Sequence, residues 1–180
     1  MHSSLVVTAT PAAPLRLFLA LWPPQAVHQA LLAHAGAWSW PPSARRTPAE
    51  RLHVTLHFLG DVAGERLPTL RQELAVPWPG CEMELDRAQV WPGGIAVLEA
   101  LTVPPPLAAL HAALAGRLLQ GLDIAVDARR FRPHVTFARK AFGAQPPARF
   151  AALRWQVGPS YALVRSLPGG RGYENLQVFG

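Results

Sequence analysis

The chain has 180 residues, half of them hydrophobic, and its 17 Lys and Arg against 11 Asp and Glu give a net charge of +6. This size suits one domain or two small lobes, and the apolar content excludes an intrinsically disordered or collagen-like chain. The single cysteine, Cys81, excludes an intramolecular disulfide and a Cys-rich zinc site, which favours a reducing compartment. Since no apolar run approaches about 20 residues, we expect no membrane span, and we interpret residues 1–14 as a flexible extension of a cytoplasmic protein.

The positive charge is concentrated in the second half of the chain. Residues 1–90 carry 7 basic and 7 acidic residues, whereas residues 91–180 carry 10 and 4. Although a GC-rich coding sequence can explain why all but one of the cations are Arg, the Arg fork binds phosphate through two parallel hydrogen bonds. We therefore expect a neutral first lobe and a second lobe suited to an anionic ligand. Half of its cations lie within twelve residues: Arg129, Arg130, Arg132, Arg139 and Lys140.

Strands and helices alternate in the first half of the predicted chain. An apolar run at 15–21 ends at two prolines and predicts a buried strand, and helical spacing then predicts a helix over 24–36. A loop rich in Pro and Arg occupies 40–48. A strand over 52–59 and a short helix over 66–74 follow.

The second half begins with a predicted hairpin, in which strands 82–91 and 95–101 flank Pro92-Gly93-Gly94. Leucines at spacings of three and four predict a helix over 106–122. Further strands are predicted at 134–138, 154–157, 161–166 and 176–179. Mixed hairpins and helices favour an α+β fold whose antiparallel sheets are covered by helices on one side.

One short pattern occurs twice, as Arg51-Leu52-His53-Val54-Thr55 and as Arg132-Pro133-His134-Val135-Thr136. With 7 His and 7 Thr in the chain, chance predicts roughly 0.3 His-x-Thr matches. The two histidines are 81 residues apart, close to half the chain length. The repeat therefore predicts two similar lobes, each contributing one strand.

The spacing within each copy determines which side chains share a face. Alternate residues of a strand point the same way, so His53 and Thr55 face one side, as do His134 and Thr136. If the two strands face each other, two imidazoles and two hydroxyls meet in one cleft. This set suits phosphodiester chemistry, in which one imidazole takes a proton, the other gives one, and the hydroxyls bond phosphoryl oxygens.

The remaining histidines favour structural roles and no metal site. His53 and His57 are four residues apart, about 13 Å on a strand, which is too far for one zinc ion. His57 is interpreted as a structural or rim residue, and His28, His34 and His111 as surface or packing residues of helices. We expect neither a metal nor a cofactor.

The two motifs in their context resemble the 2H phosphoesterase superfamily, specifically its RNA 2′,3′-cyclic phosphodiesterase family, also called 2′-5′ RNA ligases. The matching segments include Leu52-His53-Val54-Thr55-Leu56-His57-Phe58-Leu59-Gly60 and Phe131-Arg132-Pro133-His134-Val135-Thr136-Phe137-Ala138-Arg139. The resemblance covers nearly the whole chain from residue 15. It implies one bilobal, pseudo-twofold α+β domain over 15–180, with two antiparallel sheets flanking a central cleft, helices outside, and one His-x-Thr motif in each lobe.

The resemblance also implies an activity: hydrolysis of a 2′,3′-cyclic phosphate at an RNA 3′ end to a 2′-phosphomonoester, without a metal. It implies that His53 donates a proton to the departing 3′ oxygen, that His134 accepts one from water, and that Thr55 and Thr136 hold the phosphate. Some members also join RNA ends through a 2′-5′ linkage, reversibly and without ATP. The expected partners are RNA ends or nucleotides bearing a cyclic phosphate, and the expected state is a monomer.

Which arginine contacts the phosphate stays open. Arg139 matches a phosphate-contacting Arg of the family, but strand parity places it on the face opposite His134, so either the strand bends there or Arg132 has that role. The base could stack on any of four aromatic residues: Phe18, Phe58, Phe131 or Trp91.

Two other functions are compatible with the sequence. A basic binding module would hold RNA ends without chemistry, although it would need no paired His-Thr motifs. A related enzyme would act on another substrate, such as a 2′-5′ oligonucleotide or a cyclic ADP-ribose phosphate.

Overall fold

Strands dominate the part of the chain that the computed structural model describes, residues 13–180. The strands are β1 (Leu15–Leu21), β2 (Arg45–Arg46), β3 (Val54–Val62), β4 (Cys81–Leu85), β5 (Arg87–Trp91), β6 (Ile95–Glu99), β7 (His134–Arg139), β8 (Leu153–Val157), β9 (Tyr161–Leu167) and β10 (Gly172–Phe179). The α-helices are α1 (Gln25–Gly36), α2 (Leu67–Glu73) and α3 (Pro105–Gly116), the last continued by a π-helical turn at Arg117–Gly121. Among residues 13–180, no helix is both long enough and apolar enough to cross a membrane.

Eight strands form one antiparallel sheet in the order β10-β9-β1-β3-β7-β6-β5, with β2 also paired to β7. Only one residue pair, Val54 with Val135, joins β3 to β7. The sheet therefore consists of two four-stranded halves that meet at this pair, while β4 and β8 form a separate two-stranded sheet. The predicted α+β class with antiparallel sheets is confirmed.

The two lobes do not coincide with the two halves of the sequence. After β7, the chain returns to the first lobe, where β9 pairs with β1 and β10 pairs with β9. Arg165 and Arg171 therefore belong to the lobe that carries His53. The expectation of a neutral first lobe rested on a division by sequence half, whereas these C-terminal strands, which also carry Glu174, belong to the first lobe.

The strand β1 lies between β9 and β3 and is buried on both faces from Leu17 to Leu21, which explains the apolar run in this part of the strand. Leu17, Leu19 and Leu21 join the main core, together with apolar residues of α1, α3 and the two-stranded sheet. Phe18 and Ala20 point to the opposite face and pack in a smaller cluster. Helices and the small sheet thus cover one face of the large sheet and leave the other face uncovered by secondary structure.

Several element boundaries differ from those predicted. The strand expected at 82–91 is divided at Asp86, whose backbone N–H donates to Glu99 O (3.0 Å) and whose carboxylate accepts from Leu101 N–H (2.9 Å). One half pairs with β8 and the other forms the predicted hairpin with β6. The strand β2 occupies part of a predicted loop, and β10 begins four residues before its predicted start. The predicted extension 1–14 lies outside the described residues except for Ala13 and Pro14.

Candidate active site

The single residue pair that joins the two halves of the large sheet lies within the two His-x-Thr motifs. Val54 and Val135 are fully buried, and each is flanked by a half-buried histidine and threonine on the other face of the sheet. Because β3 and β7 are antiparallel, the register at this pair places His53 across from Thr136. By the same register, Thr55 lies across from His134. The fold therefore brings all four predicted side chains to one place.

Each imidazole is held by the backbone two residues before it. His53 Nδ1–H donates to Arg51 O (2.6 Å), and His134 Nδ1–H donates to Arg132 O (2.7 Å). These bonds set the same tautomer in both rings and leave Nε2 as the nitrogen available for proton transfer. In its neutral form, His53 Nε2 accepts from the Thr55 hydroxyl (3.0 Å).

Both imidazoles are shifted towards the neutral form. Burial lowers the pKa of His53 below its usual 6.5, and the charge of His134 lowers it further, against the opposing effect of the Arg51 carbonyl. Burial also lowers the pKa of His134, with smaller contributions from the charges of Arg132 and Arg139. The Arg132 carbonyl and Glu99 oppose this shift. The imidazolium charge of His134 is therefore close enough to His53 to disfavour its protonated form.

A buried carboxylate, missed by the sequence analysis, supports the second motif. Glu99 is 1% exposed and pairs directly with His134 across β6 and β7. Arg132 binds it through Nε (2.9 Å) and Nη2 (2.8 Å), and its guanidinium lies 4.4 Å from the centre of the Trp91 ring. The Trp91 ring is in turn 4.4 Å from the His134 ring. Gln89 also donates to Glu99.

Arg132 supports His134 through Glu99, because two nitrogens of its guanidinium bind that carboxylate. The sequence contained a signal for Glu99, because it is the only charged residue in the apolar strand predicted at 95–101.

Arg139 reaches the histidine face because β7 contains a bulge. Thr136 pairs with Val97 and Ala138 with the adjacent Ala96, so Phe137 is an extra residue on β7. Phe137 and Ala138 are consequently both buried, and the alternation of side chains is reversed after them. Arg139 is exposed on the side of His134, as the alternative of a bent strand anticipated.

The first motif has a bulge at the equivalent position. Thr55 pairs with Ala20 and His57 with the adjacent Leu19, so Leu56 is the extra residue on β3. Leu56 and His57 are both buried, and Phe58 is then turned to the cleft, where it is 64% exposed. Phe58 and Arg139 occupy matching positions, five residues after the histidine of each motif.

Aromatic rings surround His53 on the cleft face. Ring centroids of Phe18, Trp22 and Tyr173 lie 5.1, 5.2 and 5.5 Å from that of His53. Arg51 fixes the segment before Tyr173 by donating from Nη2 to Gly170 O (2.7 Å). Trp22 and Tyr173 were not predicted as site residues, because their approach to His53 depends on strands that are far apart in the sequence.

The other two candidate stacking residues have structural partners. Phe131 stacks on His111 (4.0 Å, 14°), which stacks on His57 (4.0 Å, 23°). His57 Nε2–H donates to His111 O (2.9 Å), so this histidine packs in the interior and lines no rim. Trp91 lies between His134 and Arg132. In the described range, no group of three or more His, Cys, Asp or Glu could hold a metal ion.

The cleft face and its motifs define a two-lobed α+β protein with one His-Thr pair from each lobe. The 2′-5′ RNA ligase superfamily profile matches residues 23–164. The RNA 2′,3′-cyclic phosphodiesterase of Escherichia coli K12 is 32% identical over 145 residues, 76% of this chain and 80% of that protein.

Two solved structures share the fold. Escherichia coli LigT in its apo form has a TM-score of 0.78 and 25% identity, covering 93% of this chain and 98% of that one. The protein TT0787 of Thermus thermophilus has a TM-score of 0.70 and 26% identity, covering 91% and 96%. The chain belongs to the 2′-5′ RNA ligase superfamily, which confirms the family predicted from its motifs.

Proposed function

We propose that this protein hydrolyses RNA 2′,3′-cyclic phosphate ends to 2′-phosphomonoesters by paired acid and base catalysis. The observation that carries the proposal is the pair of imidazoles in the same tautomer, one from each lobe, with Nε2 of each available at the cleft. The activity in the name of the Escherichia coli relative supports it.

The chemistry needs one imidazole in each protonation state. Neutral His134 takes a proton from water through Nε2 as the water oxygen bonds to phosphorus. Protonated His53 gives its Nε2 proton to the 3′ oxygen as the bond from phosphorus to that oxygen breaks. The product is a 2′-phosphomonoester with a free 3′ hydroxyl, and each proton transfer contributes about 10²–10⁴-fold.

The remaining polar groups stabilise charge on the phosphoryl oxygens. The hydroxyls of Thr55 and Thr136 face the same position from opposite strands, and the exposed Arg139 guanidinium adds a two-pronged donor. Binding such an anion raises the pKa of His53, which counteracts the effect of burial and favours the proton donor form. Arg132, held by Glu99, positions Trp91 and His134.

The test compares the wild-type chain with His53→Ala and His134→Ala on a 2′,3′-cyclic mononucleotide in EDTA, with product identification by chromatography against 2′- and 3′-phosphate standards. We expect a 2′-phosphate from the wild type and a loss of about 10²–10⁴-fold in each variant. His28→Ala is the matched control, since His28 lies on α1 and contacts Ala49 O instead of the cleft (2.8 Å).

The results separate this function from the alternatives. Turnover that survives removal of both histidines, or no turnover at all, rules out the proposed mechanism. Binding of RNA ends without turnover would identify a binding module. Faster turnover of a 2′-5′ oligonucleotide or a cyclic ADP-ribose phosphate would identify another substrate for the same site.

A further inference from the structure

The proposed reaction determines on which side of the histidines the nucleoside lies, and the inference below rests on that function. In an in-line displacement, the attacking and leaving oxygens lie on opposite sides of phosphorus. The leaving 3′ oxygen belongs to the ribose, so the ribose and everything attached to it lie on the side of the proton donor, His53. Water arrives from the side of His134.

A cavity of about 670 Å³ adjoins the aromatic rings that pack against His53, since Phe18 and Tyr173 line it. Phe58 lines the cavity beside these two rings. Arg139 lies on its wall as well, so the cavity begins beside the phosphate groups of the proposed reaction. The segment Pro168–Gly170 lines it as well.

Exposed aromatic surface in the cavity suits a nucleobase. The Phe58 side chain is 64% exposed and Tyr173 is 37% exposed, although their neighbour Phe18 is buried. Phe18 contacts both rings, at centroid distances of 6.1 Å to Phe58 and 4.9 Å to Tyr173. Exposed aromatic rings supported from below are typical of stacking surfaces for single-stranded nucleic acids.

A cation lies further out on the same face. Side chains of β1 alternate, so Arg16 points to the face of Phe18 and Ala20. Arg16 pairs with Ser166 of β9 and Asp61 of β3, which also line the cavity. Within the described residues, the Arg16 guanidinium makes neither an ion pair nor a side-chain hydrogen bond, unlike Arg165, which contacts Glu174 at 3.6 Å.

The distance along β1 separates this cation from the reaction centre. Ala20 pairs with Thr55, and four residues of strand, about 13 Å, separate Ala20 from Arg16. A cyclic mononucleotide whose phosphate lies between the histidines has no second phosphate to place at Arg16. An oligonucleotide has one in each preceding linkage.

We propose that this cavity binds the single-stranded 3′ segment of an RNA, with the terminal base against Phe58 and Tyr173 and a preceding phosphodiester at Arg16. The site thereby favours RNA oligonucleotides over mononucleotides. Among residues 13–180, Asp61 is the only carboxylate that lines the cavity, against Arg16, Arg139 and Arg165, so this lining has a net positive charge.

Binding can be measured without turnover. Fluorescence anisotropy with a labelled tetraribonucleotide ending in a 3′-phosphate, displaced by the unlabelled oligonucleotide or by the matching nucleoside 3′-monophosphate, gives both affinities. We expect the oligonucleotide to bind about tenfold more tightly or better, since each stacked base or bound phosphate contributes on that scale. Arg16→Gln should remove most of this advantage and reduce the salt slope by about 0.7.

The matched control is Arg149→Gln, which removes the same charge from an exposed arginine that does not line the cavity. Equal affinities for the two ligands in the wild type, or equal losses in the two variants, overturn the proposal. Turnover of a cyclic mononucleotide by the same preparations tests the proposed function separately. Oligonucleotide binding that depends on Arg16, in a protein that turns over no cyclic phosphate, would support the RNA subsite and overturn the proposed reaction.

Discussion

Glu99 is buried beside His134, and its negative charge favours the imidazolium form of that ring. A buried carboxylate is costly unless it is paired, and here two hydrogen bonds from Arg132 provide the pairing. The same arginine holds Trp91 against the imidazole. Glu99 thus acts on His134 in two ways, through its charge and through the position of the ring.

Glu99→Gln tests the effect of this charge. If His134 is the base, its protonation sets the acid limb of kcat/KM. Loss of the carboxylate lowers the pKa of His134 further, because Glu99 opposes the downward shift and Arg132 reinforces it. We expect the acid limb to move to lower pH, measured in pH profiles of the two proteins.

The control for this substitution is Glu84→Gln, which removes a carboxylate from an exposed ion pair with Arg154 (3.0 Å) on the small sheet. If the acid limb of kcat/KM stays in place in Glu99→Gln, or moves to higher pH, the charge of Glu99 does not control the pKa of His134.

At the scale of single elements, the two bulges determine what faces the cleft. In each motif the residue three positions after the histidine is extra, which turns the residue five positions after it towards the site. The bulge in β3 presents an aromatic ring and the bulge in β7 presents a cation. The two lobes thus share a β-bulge at the same position of the motif, but the side chains that it turns towards the cleft differ, Phe58 in one lobe and Arg139 in the other.

Arg139→Gln tests the cation. Loss of a guanidinium that binds the phosphoryl group should reduce kcat/KM for a cyclic phosphate by about 10- to 100-fold. Lys140→Gln removes the neighbouring charge and serves as the control, since Lys140 follows the end of β7. Steady-state kinetics of both variants gives the comparison, and equal losses would assign the effect to general electrostatics.

The helix α3 contacts β3 through the stacked rings of His111 and His57. Burial, together with the charge of His57, lowers the pKa of His111 to about 4, so the native state resists protonation that the unfolded chain accepts near 6.5. Stability is therefore fully present above pH 6.5 and is lost as the pH falls towards 4. We expect a decrease of roughly 1–3 kcal/mol, reduced from the full linkage value because His111 is partly exposed.

Urea unfolding at pH 7 and pH 5 measures this decrease in the wild type and in His111→Leu. Because leucine does not titrate, the variant should lose less of its stability between the two pH values than the wild type. An identical pH dependence in the two proteins would assign the loss to other groups.

Sequence reasoning succeeded where chemistry follows local spacing. The duplicated His-x-Thr pattern needs only strand periodicity, and it identified the residues that meet at the Val54–Val135 pair. The position of Arg139 could not be predicted from that periodicity, because one extra residue reverses the alternation and leaves no mark in composition. Tyr173 and Trp22 depend on pairings between distant strands. The return of β9 and β10 to the first lobe is equally nonlocal, and it invalidated the division of charge by sequence half.

At the scale of the whole molecule, the proposed reaction requires His53 and His134, one from each lobe, to be in opposite protonation states. The two halves of the sheet meet at the pair Val54 and Val135, and the charge of His134 lowers the pKa of His53. The two imidazoles therefore titrate as a coupled pair, with macroscopic pKa values that belong to the pair. The singly protonated form, which the proposed reaction uses, is favoured over the doubly protonated one.

This coupling predicts the pH dependence of the wild type. Since burial lowers the pKa of both histidines below 6.5, kcat/KM should be bell-shaped, with its maximum below pH 6.5 and a decline at higher pH as the donor loses its proton. A bound phosphate favours the imidazolium form, so the kcat profile should lie at higher pH than the kcat/KM profile. Rates measured across pH 4.5 to about 9 at low and saturating substrate test both statements. A kcat/KM that keeps rising above pH 7 would mean that no buried imidazolium serves as the acid, and the donor role of His53 would have to be abandoned.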